Sequence, residues 1–376
     1  MGHLEAIVLL SQAQTGGGCP SAARLASPSR TRRNIGLMTG KSRGLLRNLP
    51  AFLAALSAWD SLQGADLKWN LDAAERYSKA NGGTVLIISR KGMPDAEFYE
   101  PGYHSQTPSR VFSITKSVTA LACLSLREPS LEDVVRRGRE PITLRHLLSQ
   151  TSGISQGFGK LYNKNIPDVR KAAASLPEES RPGERFDYGP SHYESIGNVL
   201  MATDGSTDGA RQALTNFLSP LGILPVDWRT DRRGHIYLSA GVILTPRDLL
   251  KIGRFVLERG KLDGLRPVMP QAKFEAAFTG SHANPAYGLG FWLNHAAGNS
   301  IQRDIEDAIV AHLTREDWKR MCLSNAAPRD LVCMAGSGGQ RVYIIPSLGA
   351  VVVRLGAPSR FKDPEFLRSL FSSRVR

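Results

Sequence analysis

The sequence predicts an α+β fold: an antiparallel sheet flanked by helices from the two ends of the chain, split by a mainly helical inserted domain. Three observations predict it. A helical pattern and two strand patterns occur first, before residue 100. Helical patterns joined by Gly/Pro/Ser loops fill the middle, and strands with a closing helix come last. Strands and helices that occur in separate runs are typical of α+β domains.

The same pattern divides the chain into three parts. Residues 1–66 are expected to be a disordered or signal-like N-terminal segment. Residues 67–128 and 283–376 are expected to form the sheet domain, and residues 129–282 the helical insertion. The length of 376 residues is ample for two such units, and the sequence contains no internal repeat.

The first elements follow from local periodicity. Apolar spacing predicts a helix over Leu71–Ala80. The β-branched run Gly83–Ser89 and the short run Glu97–Tyr99, separated by a Lys-Gly turn, predict two strands. Ser113–Leu126 is predicted to be a helix with an apolar far end.

The remaining elements are predicted in the same way. Helices of the insertion are expected at Leu144–Ser149, His192–Ala202, Gly209–Phe217 and Arg247–Leu257. The last part is expected to contain a strand at Tyr287–Asn294, a helical stretch at Arg303–Cys322, strands at Gln340–Ile345 and Ala350–Leu355, and a closing helix at Asp363–Ser372.

Composition excludes several classes of protein. With 41% hydrophobic and 22% charged residues the chain is an ordinary globular protein, and no run approaches the roughly 18 apolar residues of a membrane-spanning helix. The formal net charge is +14. The arginine clusters at 136–139 and 229–233 have no interleaved aromatic residues and no nucleic-acid motif. We therefore interpret the charge as a solvated basic face and expect no nucleic-acid partner.

The N-terminal segment contains a pattern similar to a secretory signal. From Met38 a basic stretch precedes the short apolar run Leu49–Ala58, with small residues at its end. This interpretation predicts a periplasmic or secreted protein, with signal-peptide targeting or peripheral membrane attachment and with Met38 as the natural start. The alternative is an amphipathic helix packed on the domain of a cytoplasmic protein.

The cysteines predict no metal site. Cys19, Cys123, Cys322 and Cys333 contain no CxxC pair, so a zinc or thioredoxin-type centre is not expected. Cys322 and Cys333 are near enough in sequence for a disulfide in an oxidising compartment, and two free thiols are the equal alternative. No cofactor is expected, and the oligomeric state is left open.

Ser113-Ile-Thr-Lys116 at the start of a predicted helix is the clearest chemical feature. Residues three apart share a helix face, so the two side chains can touch. A lysine whose pKa is lowered by burial can take the proton of a serine hydroxyl and make it a nucleophile. The helix N-terminus favours the negative charge that develops. Alone, the pattern favours a coincidence or an ordinary N-cap serine over a catalytic pair.

An ordered series of motifs follows this pair. It consists of Thr143-Leu-Arg-His-Leu-Leu-Ser-Gln-Thr-Ser-Gly-Ile154, Pro182-Gly-Glu-Arg-Phe-Asp-Tyr188, Tyr287-Gly-Leu-Gly-Phe-Trp292 and Gly336-Ser-Gly-Gly-Gln340. Over roughly residues 70 to 360 the chain thereby resembles the β-lactamase-related serine hydrolases. These include class C β-lactamases, D-Ala-D-Ala carboxypeptidases, family VIII esterases and 6-aminohexanoate-oligomer hydrolases. The resemblance implies a β-lactamase/transpeptidase-like fold.

The resemblance also implies roles for matching residues. Ser113 would be the acylated nucleophile, Lys116 its partner, and Tyr188 a tyrosinate base or part of a Tyr–Lys proton relay. The third motif would fall on Met334-Ala-Gly336. The backbone N–H groups of Ser113 and Ser337 would then form the oxyanion hole. The expected substrate is a small ester or amide, hydrolysed through an acyl-enzyme.

Two positions depart from the family pattern. Pro190 stands where the family has Asn or Ser, so that function is lost or passes to Ser191 or His192. Met334 stands where a Lys or His helps to hold a substrate carboxylate in penicillin-recognising members. Its loss argues against efficient β-lactam or D-Ala-D-Ala recognition and for neutral substrates.

The alignment of the third motif has an alternative. If Ser337 is its first position, the backbone donor moves to Gln340, and the cation is still absent. In both cases Gly338 and Gly339 would let a substrate approach the strand closely.

Other residues have competing interpretations. Tyr188 could be a packing tyrosine, with Tyr193 as the rival for its role if the register slips. His192 is kept as a donor at the edge of the site, whereas His146 is expected to satisfy a local hydrogen bond. Gln150 stands where the family often has His and is given no catalytic role.

Other functions compete with hydrolysis as interpretations of the sequence. The near Gly-x-Ser-x-Gly pattern at Ala335–Gly339 is followed by a strand rather than a helix, which excludes the nucleophile elbow of α/β-hydrolases. A non-catalytic binding protein of the same fold and a weak β-lactamase or D-Ala-D-Ala carboxypeptidase are the alternatives to an esterase or amidase.

Overall fold

The computed structural model describes most of the chain after residue 66. The described residues are 67–163, 165–204, 209–295, 300–311 and 313–372. The predicted signal-like segment and Cys19 lie outside them. Within these ranges no helix combines the length and the apolar character that crossing a membrane requires.

The described elements are short strands and helices. The strands are β1 (Lys68–Trp69), β2 (Gly83–Arg90), β3 (Ala96–Tyr99), β4 (Ser109–Arg110), β5 (Val134–Arg137), β6 (Pro141–Thr143), β7 (Asp227–Trp228), β8 (Val242–Leu244), β9 (Lys261–Leu262), β10 (Arg266–Pro267), β11 (Trp292–Leu293), β12 (Ile301–Gln302), β13 (Met321–Cys322), β14 (Val332–Gly336), β15 (Gln340–Ile345), β16 (Ala350–Gly356) and β17 (Phe371–Ser372). The α-helices are α1 (Leu71–Ala80), α2 (Ile114–Ser125), α3 (Leu144–Leu148), α4 (Phe158–Leu161), α5 (Val169–Ala174), α6 (Ser191–Asp204), α7 (Gly209–Leu218), α8 (Pro246–Leu257), α9 (Gln271–Ala276), α10 (Ile305–Val310), α11 (Arg315–Arg320) and α12 (Asp363–Leu370).

A six-stranded antiparallel sheet forms the centre of the molecule. Its strand order is β11-β14-β15-β16-β2-β3. Both faces are buried. Along β16, Val351 and Val353 face one apolar cluster, and Ala350 and Val352 face the other. Side chains that alternate in this way let helices cover the sheet on both sides.

The terminal helices α1 and α12 cover one face of the sheet, and α8 and α2 cover the other. On α8, a Cβ at Gly253 would lie 2.5 Å from Val351 Cγ1, so glycine lets this helix approach the sheet. The predicted α+β class, with an antiparallel sheet between terminal helices, is confirmed.

The chain leaves this sheet after β3 and returns to it at β11. Between these strands come α2 to α9 and a small three-stranded sheet of order β4-β8-β7. The helix predicted at Leu71–Ala80 is confirmed, and the strand predicted at Gly83–Ser89 extends by one residue to Arg90.

Two predicted elements are only partly right. Within the strand predicted at Tyr287–Asn294, β11 (Trp292–Leu293) is a strand, whereas the residues before it form a tight turn, in which Gly290 has a φ of +84° and Tyr287 bridges Trp292. The helical stretch predicted at Arg303–Cys322 consists of two short helices, α10 and α11, and ends in β13. Thr314 begins α11 with a capping box, in which its side chain accepts from Asp317 N–H.

The cysteines that the structure describes carry free thiols. Cys123, Cys322 and Cys333 are all buried. Cys322 Sγ lies 3.2 Å from Asn325 Oδ1. Of the two interpretations left open for Cys322 and Cys333, the structure therefore has the free thiols.

Candidate active site

Ser113 lies immediately before the first residue of α2. Its side chain makes no capping hydrogen bond with the helix. Instead, Lys116 Nζ donates to Ser113 Oγ at 3.0 Å, across the one helical turn expected from the sequence. Phe112, just before the serine, has a φ of +49°, a conformation that costs a non-glycine residue free energy and is common at functional sites. The serine hydroxyl is therefore paired with the lysine rather than used as a helix cap.

Glycines let two segments approach this helix end. A Cβ at Gly336, the last residue of β14, would lie 2.2 Å from the carbonyl oxygen of Val111. A Cβ at Gly290 would lie 3.1 Å from the carbonyl oxygen of Lys116, and Ser117 Oγ donates to the Gly290 carbonyl at 2.5 Å. At both positions the space beside the Ser113 helix is too small for any side chain, so only glycine fits.

Lys116 is buried, and no carboxylate among the residues that the structure describes pairs with it directly. Burial lowers the pKa of Lys116 to about 7, although the charge of Glu194 partly opposes this. Nζ also donates to the Ser239 carbonyl at 3.1 Å and lies 4.8 Å from the centre of the Tyr188 ring. A large fraction of this amine is therefore neutral near pH 7 and can accept a proton.

Glu194, which sequence reasoning missed, lies behind the lysine. It is fully buried on α6 and accepts from Ser239 N–H at 3.0 Å and Ser239 Oγ at 2.6 Å. Arg170 Nη1 donates to Glu194 Oε2 at 3.0 Å. A Cβ at Gly197 would lie 2.1 Å from Arg170 Cζ, so glycine makes the space for this guanidinium. The pair holds in place the Ser239 carbonyl that receives Lys116.

Tyr188 lies in the same cleft as Ser113. Burial raises the pKa of Tyr188, and a hydrogen bond with Ser113 lowers it only in part. A free tyrosinate near pH 7 is therefore disfavoured. Gln150 positions this segment: its Oε1 accepts from Gly189 N–H and its Nε2 donates to Tyr287 Oη, both at 2.8 Å.

The rival residues have other partners. Tyr193 is buried and donates from Oη to the Leu148 carbonyl at 2.9 Å. His192 Nε2 donates to the Asp187 carbonyl at 2.7 Å, so its Nδ1 accepts from Ser152 Oγ at 2.9 Å. Burial lowers the pKa of His192 to about 4. The expectation of a donor at the site edge is wrong, because both ring nitrogens of His192 are used inside the fold.

His146 confirms its expected local role. It lies in the first turn of α3, and its Nδ1 accepts from Thr143 N–H as part of a capping box.

The β14–β15 hairpin forms the opposite wall. Gly336 and Ser337 line the cleft with Ser113. No hydrogen bond is described from the N–H of Ser113 or Ser337 to another described residue, so both donors are available to a ligand. Gly338 and Gly339 belong to the three-residue turn between the paired residues Gly336 and Gln340 and have φ values of +76° and +72°, which glycine adopts without strain. They shape this turn and are not among the residues that line the cleft.

Two other residues of this hairpin have structural partners. The Gln340 side chain joins β15 to β16, because its Nε2 donates to the Gly356 carbonyl at 2.5 Å and its Oε1 accepts from Gly356 N–H at 3.0 Å. The alternative in which the backbone of Gln340 supplies the substrate donor stays a prediction. The side chain of Met334 is fully buried in the apolar cluster beneath α2 and α8.

The cleft has an empty volume of about 550 Å³ counted to its open mouth. Phe158, Tyr162 and the α10 residues Ile305, Ile309 and Val310 make much of its wall apolar. Glu306 and Arg341 also line it. Tyr162 and both charged residues were missed, because α10 and α4 reach the site only through the fold.

A group of metal-ligating residue types lies elsewhere. Ligand atoms of Asp168, Asp231 and His235 are within 4.8 Å of one another. Asp231 Oδ2 already accepts from Val169 N–H at 2.7 Å, and His235 Nδ1 lies 3.0 Å from it. Asp168 begins α5 by accepting from Lys171 N–H. These contacts tie α5 to a loop and give no reason to assign a metal.

Ser113 thus contacts Lys116 and shares one cleft with residues of the β14–β15 hairpin. A family model described as Beta-lactamase matches residues 54–358. The chain belongs to the beta-lactamase family. Its predicted membership of the β-lactamase-related serine hydrolases is therefore confirmed.

One curated relative matches part of the chain. Protein flp of Staphylococcus aureus (strain MW2) is 25% identical over 178 residues, 39% of this chain and 34% of that protein. The match thus spans about a third of the length of the curated relative.

Solved structures share the fold. EstCE1, a hydrolase with promiscuous acyltransferase activity, has a TM-score of 0.58 at 17% identity, covering 80% of this chain and 98% of that one. A D-stereospecific amidohydrolase from Streptomyces sp. has a TM-score of 0.55 at 16% identity, with 80% and 98% covered. At these identities the likeness shows the fold alone.

Proposed function

We propose that this beta-lactamase-family chain is a serine hydrolase that acts through an acyl-enzyme at Ser113 on small esters or amides. The 3.0 Å hydrogen bond from buried Lys116 to Ser113 Oγ supports it most directly. A lysine with a pKa of about 7 can remove the serine proton at neutral pH.

In the proposed cycle, neutral Lys116 takes the hydroxyl proton as Ser113 Oγ attacks the carbonyl carbon. The N–H groups of Ser113 and Ser337 stabilise the oxyanion, and such donors typically contribute about 3–4 kcal/mol each. The leaving group takes a proton from Tyr188, which regains one from the Lys116 ammonium. In the second half, neutral Lys116 with Tyr188 takes a proton from the water that attacks the acyl carbon. The bond between that carbon and Ser113 Oγ then breaks, Ser113 Oγ receives the proton back, and the carboxylic acid leaves.

The walls of the cleft favour an apolar acyl group. Aliphatic side chains from α10 and the aromatic rings of Phe158 and Tyr162 face it. A cation for the carboxylate of a β-lactam is not offered at Met334, which is buried. Esterase or amidase activity is therefore proposed ahead of β-lactamase activity.

The test is labelling with a fluorophosphonate, followed by intact-mass analysis. We expect one adduct in the wild-type protein and none in Ser113→Ala. Ser117→Ala on the same helix is the matched control and should still be labelled. A short-chain p-nitrophenyl ester should be hydrolysed faster than a penicillin. A folded wild-type protein that takes no label would contradict the proposal and favour a non-catalytic binding protein.

A further inference from the structure

One charged side chain in the cleft is accessible to a substrate. Glu306 lies on α10 among the residues that line the cleft with Ser113 and Ser337. Its side chain is 32% exposed, whereas that of Arg341, the other charged group of the lining, is 1% exposed. The cleft therefore offers a carboxylate, and not a guanidinium, to a ligand.

The contacts of Arg341 explain this difference. Arg341 Nε and Nη2 donate to Asp363 at 2.8 and 3.1 Å, and Nη1 donates to the Gly336 carbonyl at 2.9 Å. Its distance to Glu306 Oε1 is longer, 3.7 Å. Asp363 is thus the main partner of the guanidinium, and Glu306 is only a peripheral one.

One of the two carboxylate oxygens of Glu306 has a hydrogen-bond partner in the hairpin. Oε1 accepts from Gly339 N–H at 3.0 Å, which ties α10 to the turn after Ser337. Among the residues that the structure describes, none makes a hydrogen bond or an ion pair with Oε2. One carboxylate oxygen is thus fixed by the hairpin, and the other is left for a ligand in the cleft.

We propose that this cleft selects substrates whose acyl group ends in a cationic amine, with Glu306 as the counter-ion. The inference rests on the proposed function and names its substrate class. The aliphatic side chains of Ile305 and Ile309 would cover the methylene groups between the reacting carbonyl and the cation. The same carboxylate repels anionic substrates, so carboxylate-bearing β-lactams are disfavoured for a second reason.

The experiment compares two p-nitrophenyl esters that differ only in charge. One acyl chain ends in a trimethylammonium group and the other in a tert-butyl group of the same shape, each with a spacer of three or five methylenes. We expect the wild-type protein to have at least tenfold higher kcat/KM for the cationic ester at one spacer length. Equal or reversed kcat/KM at both lengths would overturn the inference but not the proposed function.

Variants of α10 identify the residue responsible. Glu306→Gln removes the charge and keeps an oxygen that can accept from Gly339 N–H. It should lose the preference, so that its kcat/KM values for the cationic and the tert-butyl ester become equal, whatever their common level. Asp307→Asn, which removes a neighbouring charge paired with Lys362 outside the cleft lining, should keep the full preference. A preference that survives in Glu306→Gln would contradict the assignment.

A binding measurement separates the two proposals. If neither ester is turned over and Ser113 takes no label, the proposed function fails. Calorimetric titration with hexyltrimethylammonium then tests Glu306 alone. At least tenfold tighter binding to the wild-type protein than to Glu306→Gln supports the cation site, and equal binding overturns it.

Discussion

Two buried arginine–carboxylate networks flank the cleft, and they act on it differently. Behind Lys116, Arg170 pairs with Glu194, which holds the Ser239 main chain. Behind the hairpin, Arg341 pairs with Asp363. Both pairs are almost fully buried. The first ends at a titratable lysine, and the second ends at the Gly336 carbonyl.

The first network changes the pKa of a side chain, whereas the second fixes the position of a backbone segment. Burial lowers the pKa of Lys116, and the charge of Glu194 raises it by a smaller amount. The first network therefore changes how easily the Lys116 amine is protonated. Burial opposes the charge of Asp363, but the Arg341 guanidinium holds the pKa of Asp363 below its usual range. The second network therefore fixes the backbone that carries the Ser337 N–H, with no titratable catalytic group at its end.

Asp363→Asn is expected to have the largest effect, because it leaves Arg341 with weaker, more distant partners. Breaking a buried pair typically costs about 3–5 kcal/mol of unfolding free energy. Urea denaturation should show this loss, while the pH dependence of kcat/KM keeps its midpoint. Asp307→Asn is the matched control: its half-exposed pair with Lys362 should contribute less than about 1 kcal/mol. Equal losses in the two variants would contradict the assignment.

Glu194→Gln should instead move the pH profile. Acylation needs neutral Lys116, so kcat/KM should rise with pH through about 7 in the wild-type protein. Without the Glu194 charge the pKa of Lys116 falls, and the rising limb moves to lower pH by roughly one unit, equivalent to about 1.4 kcal/mol. The buried Arg170 charge, now unpaired, acts in the same direction.

The control for this shift is Glu275→Gln, which removes a surface carboxylate paired with Arg259. Its rising limb should coincide with that of the wild-type protein. If Glu194→Gln remains folded and its limb is unmoved, or moves to higher pH, Glu194 does not act on the base.

The predictable part of this site is the part that depends on local sequence. Ser113 and Lys116 are one helical turn apart, so the helix alone brings them together. Glu194 acts through Ser239, 45 residues away, and Gln150 through Tyr287, 137 residues away. Such contacts exist only once the sheet and insertion are packed. A glutamate beside Tyr193 on a predicted helix is the one local signal that could have indicated a buried carboxylate.

The fold shows the same limit. Leu71–Ala80 has a strong helical period and was predicted to the residue. Tyr287–Asn294 has the apolar and aromatic residues of a strand, but the positive φ of Gly290 turns the chain against α2. The turn is stabilised by close packing against the Ser113 helix. This packing depends on residues far apart in the sequence, so local composition cannot predict it.

Gln150→Met should have a smaller effect than Asp363→Asn and Glu194→Gln, because it changes no charge. It removes the partners of Gly189 N–H and Tyr287 Oη at nearly constant side-chain size, and unsatisfied buried groups typically cost about 1–3 kcal/mol. Since Gly189 follows Tyr188, kcat should fall several-fold with little change in KM. Thr245→Val, which removes a helix cap of α8, should cost about 1 kcal/mol of stability at unchanged kcat. If both variants lose stability and neither loses kcat, Gln150 only supports the fold, and positioning of Tyr188 depends on the packing of its own ring.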